Sequence, residues 1–219
     1  MTAARRVVPG DAFLPLPTRA ELRARMPRLL TGLVTMGTGV AVMVLSGMGL
    51  APWEVLHQGI ATRSGVPIGS VGILVGVAVL ALWVPLRQRL GIGTVLNTVL
   101  IGVTIDAVLA VFPEVGGTWP RWVGMSIGVL LYAGGSALYI GAGLGPGPRD
   151  GLMTGLVRRT GRSVRLVRTS IEVTVVALGW LLGGTLGVAT VLYALAIGPL
   201  VHALLPRLAV RLPATHPLT

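Results

Sequence analysis

The chain has no cysteine, which removes disulfides, thiolate metal sites and cysteine nucleophiles from consideration. It has no lysine either, so all 18 basic residues are arginine. His57, His202 and His216 lie too far apart in sequence to suggest a metal site. There is no nucleotide-binding loop with a following lysine, no metal-ligand pair at helical spacing, and no Ser/His/Asp set that spacing favours. We therefore expect no enzyme, no catalytic residue, no metal and no cofactor. Charge is scarce, at 11% of residues against about 25% in a soluble domain. In its place stand 53% hydrophobic residues and a mean hydropathy of +0.83, the balance of an integral membrane protein. The net charge of +11 could suit nucleic acid, but the arginines sit mainly beside apolar segments. Topogenic charge explains them better, with anionic lipid head groups as the counter-surface; no nucleic-acid partner is expected.

What the chain does have is an echo of itself. Shifting it by 96 positions lays the stretch from Gly47 to Gly65 on that from Gly143 to Gly161. Pro52 meets Pro148, Glu54 meets Asp150 and Gly59 meets Gly155. Farther on, Gly91, Thr94, Val95 and Leu96 meet Gly187, Thr190, Val191 and Leu192. Without a gap, 25 of the 80 positions from Gly32 to Val111 are identical to their partners. That is an internal duplication, and it governs the fold reading.

Residues 1–27 read as a basic tail with four prolines and no cleavable signal peptide. Within it, Thr18 and Glu21 have the spacing of a capping box. A short helix with Leu22 and Met26 on one side is expected to lie along the membrane surface; a disordered tail is the alternative. The first repeat, 28–113, holds spans at about Leu29–Leu50, Pro67–Leu86 and Gly91–Phe112, each near the ~20 residues that cross ~30 Å of hydrocarbon. Between the first two lies a short helix from Pro52, too short and polar to span. An external linker, 114–120, leads to the second repeat, 121–206, which reads the same way with its short helix at Pro148; a tail, 207–219, follows.

The expected fold is therefore all-α, with six transmembrane helices in two three-span repeats and a short non-spanning helix after each first span. Three is odd, so the second repeat should be inverted. Arginine supports this: with both termini cytoplasmic, every arginine except Arg63 and Arg121 falls on or near the inner side. Inverted repeats with broken helices recur in secondary transporters, with the binding site between the halves.

Candidate site residues begin at the short-helix starts. Proline in the first position and an acid two residues later, Glu54 or Asp150, suit a helix N-terminus on structural grounds alone. The functional alternative is that these starts face an aqueous cavity, with Arg149 and free amides meeting an anion and the acids exchanging protons. Inversion would put Glu54 towards one face and Asp150 towards the other, as paired gates. Trp53 joins this set as a binding candidate, although it, Trp83, Trp119, Trp122 and Trp180 also fit an aromatic belt. Asp106, an acid within a span, should face the bundle interior or a cavity; a near-interface polar contact is the alternative. Its repeat partner is His202. Gly91, Thr94 and Asn97 open a span and serve either packing or a polar path. Arg168 should pair with Glu172 four residues on.

The strings LAPWEVLHQGIA and GIGTVLNTVLIGVTID, with GPGPRDGLMTGLVRRTGRSVRLVR, resemble the YczE-like bacterial integral membrane proteins, grouped with YitT-type proteins. The resemblance covers about Arg28 to Pro206; the second repeat departs from it mildly, with Val188 and Ala189 where a GIGT pattern stands in the first. It implies a multi-spanning protein of the bacterial cytoplasmic membrane, of a kind often supposed to transport. Two functions are expected from it and the residues together: a small secondary transporter or exporter of a small organic solute, anions included, or a non-transporting scaffold that modulates a partner complex. A homodimer is compatible with either. A cavity reaching Asp106 or Asp150 would favour transport.

Overall fold

A computed structural model describes residues 18–208, and its regular elements there are all helices. The basic segment 1–17 and the end of the C-terminal tail, 209–219, lie outside the described residues. The elements are α1 (Arg19–Ser46), α2 (Pro52–Ser64), α3 (Ile68–Leu86), α4 (Ile92–Val111), α5 (Thr118–Ala142), α6 (Pro148–Thr160), α7 (Val164–Leu181) and α8 (Val188–Leu208). The starts of α6, α7 and α8 each lie 96 residues after those of α2, α3 and α4. The duplication seen in sequence is thus a duplication of helices.

Five helices, α1, α3, α4, α5 and α8, are long and apolar enough to cross a membrane. The sixth expected span, α7, has 18 residues but carries Arg165, Arg168 and Glu172. The short helices α2 and α6 have 13 residues each, about 20 Å at 1.5 Å per residue. That falls short of the ~30 Å hydrocarbon layer. Both begin at a proline after an extended residue, Ala51 (φ −64°, ψ 156°) or Gly147 (φ −65°, ψ 157°). Both stop at a left-handed glycine, Gly65 or Gly161, a conformation that costs glycine no Cβ clash.

The N-terminal surface helix expected from Thr18 does not stand alone. The capping box forms, with the Glu21 amide donating to Thr18 Oγ1 and the Thr18 amide to the Glu21 carboxylate. The helix then runs on through Pro27 to Ser46. Leu22 and Met26 are in helical register with Leu29 and Leu33, and all four join one cluster with Tyr139, Ala142 and Leu144. Burying this continuous stripe outweighs the hydrogen bond that Pro27 removes.

Glycine holds the centre together. A methyl group added at Gly32 would stand 2.8 Å from the Gly135 carbonyl oxygen, and one at Gly39 would stand 2.7 Å from that of Gly128. Only bare backbone fits there, so α1 and α5 approach closely, as small residues allow in membranes. These contacts run in opposite senses along the two helices, so α1 and α5 are antiparallel. They are also exchanged between the copies, since Gly128 is the counterpart of Gly32 and Gly135 that of Gly39. The same exchange recurs elsewhere. The Ala189 amide donates to the Met48 carbonyl at 3.0 Å, and its counterpart Gly93 donates to the Leu144 carbonyl at 2.9 Å. Arg63 reaches the carbonyls of Leu181 and Leu182 at the end of α7, while Arg159 reaches that of Pro85 near the end of α3. Accordingly α2 packs on α7 and α6 on α3. Each copy's short helix is held by the other copy.

Candidate functional site

The exchange carries the first turns of α2 and α6 to one place. Trp53 and Arg149 occupy equivalent positions in the two copies, and the Arg149 guanidinium carbon lies 5.1 Å from the Trp53 ring centroid. From there Arg149 Nη2 donates to Glu54 Oε1 at 2.5 Å. The Glu54 side chain is only 4% exposed and that of Arg149 33%. Taking both charges out of water is costly, and the pair holds only while each partner is present. Glu54 Oε2 is buried without a hydrogen-bond partner. An unsatisfied buried acceptor costs on the order of 1–3 kcal/mol, so this oxygen calls for an explanation beyond packing.

Beside the pair lies a cavity of about 440 Å³ to which all eight helices contribute. Its walls are largely apolar, with Met36, Val75 and Val79 among them. Tyr132, Tyr139, Tyr193, Asn97, Thr98 and Ser136 supply polar edges. The Tyr132 and Tyr193 rings meet edge to face with centroids 5.3 Å apart. The charged side chains on the wall are Glu54, Arg149, Asp150 and Arg168, with His57 and His202 as further titratable groups. Around Gly147 the polar ends converge: a Cβ there would stand 3.4 Å from Asp150 Oδ2, 3.5 Å from the Tyr139 hydroxyl oxygen and 3.8 Å from Asn97 Nδ2. Volume, apolar lining and a few placed polar groups are the marks of a small-molecule pocket.

A model of the Family of unknown function (DUF6198) matches residues 23–206. An uncharacterized protein of Haemophilus influenzae is 43% identical over 208 residues, 95% of each chain. The uncharacterized membrane protein YczE of Bacillus subtilis is 32% identical over 192 residues, covering 86% of this chain and 89% of its own. The chain belongs to this YczE-like membrane protein family. A third relative, the uncharacterized protein YyaS of Bacillus subtilis, is 25% identical over 179 residues, 80% of this chain and 89% of its own. No solved structure matches. As a member of the family the chain is an integral membrane protein with several apolar helices, and the match reaches five residues into α1 ahead of the stretch that the sequence strings suggested.

Five of the six expected site residues of this YczE-like chain, Trp53, Glu54, Asn97, Arg149 and Asp150, border the one cavity. Glu54 and Asp150 are therefore not separate gates on opposite faces. Both short helices begin at the junction of the copies, which the count of spans alone does not reveal. Asp106 is elsewhere. Its Oδ1 accepts from the Gly69 amide at 2.7 Å, and its Oδ2 accepts from the Ser70 amide at 2.8 Å and the Ser70 hydroxyl at 2.7 Å. It caps the start of α3, where Pro67 in the N-cap position has no side chain to do so. In the second copy Ser163 stands at that position and accepts from the Leu166 amide itself, and His202, freed of the task, borders the cavity.

Thr94 also turns structural, donating to the Pro146 carbonyl at 2.7 Å. Arg168 pairs with Glu172 at 2.9 Å as its spacing suggests. Trp53 and Trp83 do not sit in an aromatic belt: they are 9% and 1% exposed. Trp83 packs over Gly151 and donates from Nε1 to the Pro148 carbonyl at 3.1 Å. Sequence reasoning missed Tyr132, Ser136 and Tyr139. Their signal was present as three polar side chains within one turn or two of α5, on a single face of an apolar span.

Proposed function

We propose that this protein is a small secondary transporter, carrying a small organic solute through the cavity between its two copies. The observation that carries the reading is that cavity: it reaches Asp150, every helix lines it, and the ion pair on its wall joins one copy to the other. In this reading the chain crosses the cytoplasmic membrane six times, α7 included, and the second copy is inverted. The antiparallel run of the equivalent helices α1 and α5 supports inversion. So does the arginine count, which favours cytoplasmic termini and sets the Arg158–Arg168 face against anionic lipid head groups. Half-helices that start at the centre of a transporter, with their ends turned to the substrate, are a recurrent arrangement. The protein acts here as a carrier and not as an enzyme.

Two experiments test this. A thermal-shift screen of small solutes against purified protein should find at least one that stabilises the wild type and loses its effect in Asp150→Asn. If no solute of any charge stabilises it, the carrier reading fails. Inversion is tested by single cysteines, which the absence of native cysteine makes clean. Ser64→Cys and Thr160→Cys occupy equivalent exposed positions at the ends of α2 and α6. An impermeant maleimide should label one from each side of oriented vesicles; labelling of both from the same side would overturn the inverted arrangement.

A further inference from the structure

Two carboxylates and two guanidiniums border the cavity, but one guanidinium spends its pairing on a carboxylate outside it. Arg149 is engaged by Glu54, and Arg168 is engaged by Glu172. Asp150 forms no ion pair among the described residues. The positive ends of α2 and α6 are likewise already answered, since Glu54 and Asp150 each occupy the first turn of their own helix. What an anion would seek here, a free guanidinium or an open helix start, is taken by the chain's own carboxylates. What is left over is one carboxylate without a direct ion pair, Asp150, and one buried acceptor with no donor, Glu54 Oε2.

We propose that the cavity takes a small organic cation, a protonated primary amine, whose ammonium group bonds to Asp150 and to the Glu54 oxygen that Arg149 leaves without a partner. The inference rests on the carrier reading and names its substrate class. A primary ammonium has three N–H donors, enough to serve both carboxylates at once, and its charge gives Asp150 the direct ion pair that the chain does not. Its alkyl part meets Val75, Val79 and the faces of Tyr132 and Tyr193, which also attract cations. Competition between this ammonium and Arg149 for Glu54 loosens the contact between the first turns of α2 and α6. Substrate and the junction of the two copies are thereby linked.

The test uses four probes of similar size with purified full-length protein: n-butylammonium, tetramethylammonium, butyrate and 1-butanol, read by ligand-dependent melting. Saturable stabilisation by n-butylammonium is expected, with no effect of butyrate or butanol. Asp150→Asn should weaken it at least tenfold. Glu54→Gln should weaken it similarly and, by releasing Arg149, admit butyrate. Each variant's melting without probe reports whether it is folded, and Asp150→Asn, which disturbs no ion pair, carries the test if Glu54→Gln is not. Equal binding of tetramethylammonium, which has no N–H to give, would overturn the role of Glu54. Stabilisation of the wild type by butyrate or butanol alone would overturn the cation and leave the carrier standing. No response to any probe, where the broad solute screen finds a ligand, would also overturn the cation.

Discussion

The two copies agree where backbone meets backbone and differ where charge meets space. Gly32 and Gly39 on one side match Gly128 and Gly135 on the other, and the amides of Ala189 and Gly93 make the same bond to equivalent loops. Yet Trp53 stands opposite Arg149, His202 opposite Asp106 and Ser163 opposite Pro67. A glycine in a close helix contact has no substitute, so packing held the copies alike. Side chains around the cavity and at the loop ends had no such restraint. The difference teaches where to look for function: at positions where equivalent residues do unequal jobs.

The largest effect should come from breaking the comparison at its centre. Arg149→Ala leaves Glu54 charged, buried and alone, and should cost about 3–5 kcal/mol. It should be read as a large fall in the denaturation midpoint of the purified protein. Adding Glu54→Gln removes the stranded charge and should recover a substantial part of that loss. If the double variant is no better than the single one, the arginine acts through its packing on Trp53 and not through Glu54.

The middle effect sharpens the contrast between Asp106 and Ser163. Asp106→Ala removes the acceptor of three hydrogen bonds at the start of α3 and should cost about 2 kcal/mol, as for other bonds to a charged group. Its counterpart variant, His202→Ala, should leave stability near the wild type. Pro67→Ser gives the first copy the local cap of the second and should restore about 1 kcal/mol to Asp106→Ala. Equal losses from Asp106→Ala and His202→Ala, in the same denaturation experiment, would mean that the acid does more than cap.

How much of this could be read beforehand depends on what sets each feature. The bounds of α2 and α6 were legible because proline before an acid and glycine at the end are local signals, and the repeat gave each twice. Trp53, Glu54, Asn97, Arg149 and Asp150 were likewise visible as polar or aromatic side chains in an apolar chain. Their convergence was not, because α2 is held by α7 and α6 by α3, and such exchange is a property of packing between distant segments. For Asp106 the polar contact was foreseeable but its partners were not, for a related reason. An acid in a span advertises a need for donors, but the amides of Gly69 and Ser70 are supplied by a neighbouring helix that sequence cannot put in reach. Tyr132 and Tyr139 were passed over because tyrosine is grouped with the hydrophobic residues in composition and blends into an apolar span.

The smallest effect concerns the matched arginines at the rims. Arg63 serves carbonyls at the end of α7 and Arg159 one near the end of α3, where a helix leaves acceptors unpaired and carries partial negative charge. Both side chains are exposed, so water replaces the lost bonds and each change to alanine should cost under about 1 kcal/mol. The two losses should be alike, because the geometry is shared between the copies, and additive, because the sites lie in different contacts. The same pair should separate in orientation: in the proposed arrangement Arg159 belongs to the arginine-rich inner face and Arg63 lies outside. Replacing both by neutral glutamine should then leave stability alike but weaken the inside bias only through Arg159, measurable as mixed labelling at Thr160→Cys in the Arg159→Gln background alone. Mixed labelling from Arg63→Gln instead would place the short helices on the sides opposite to those assigned.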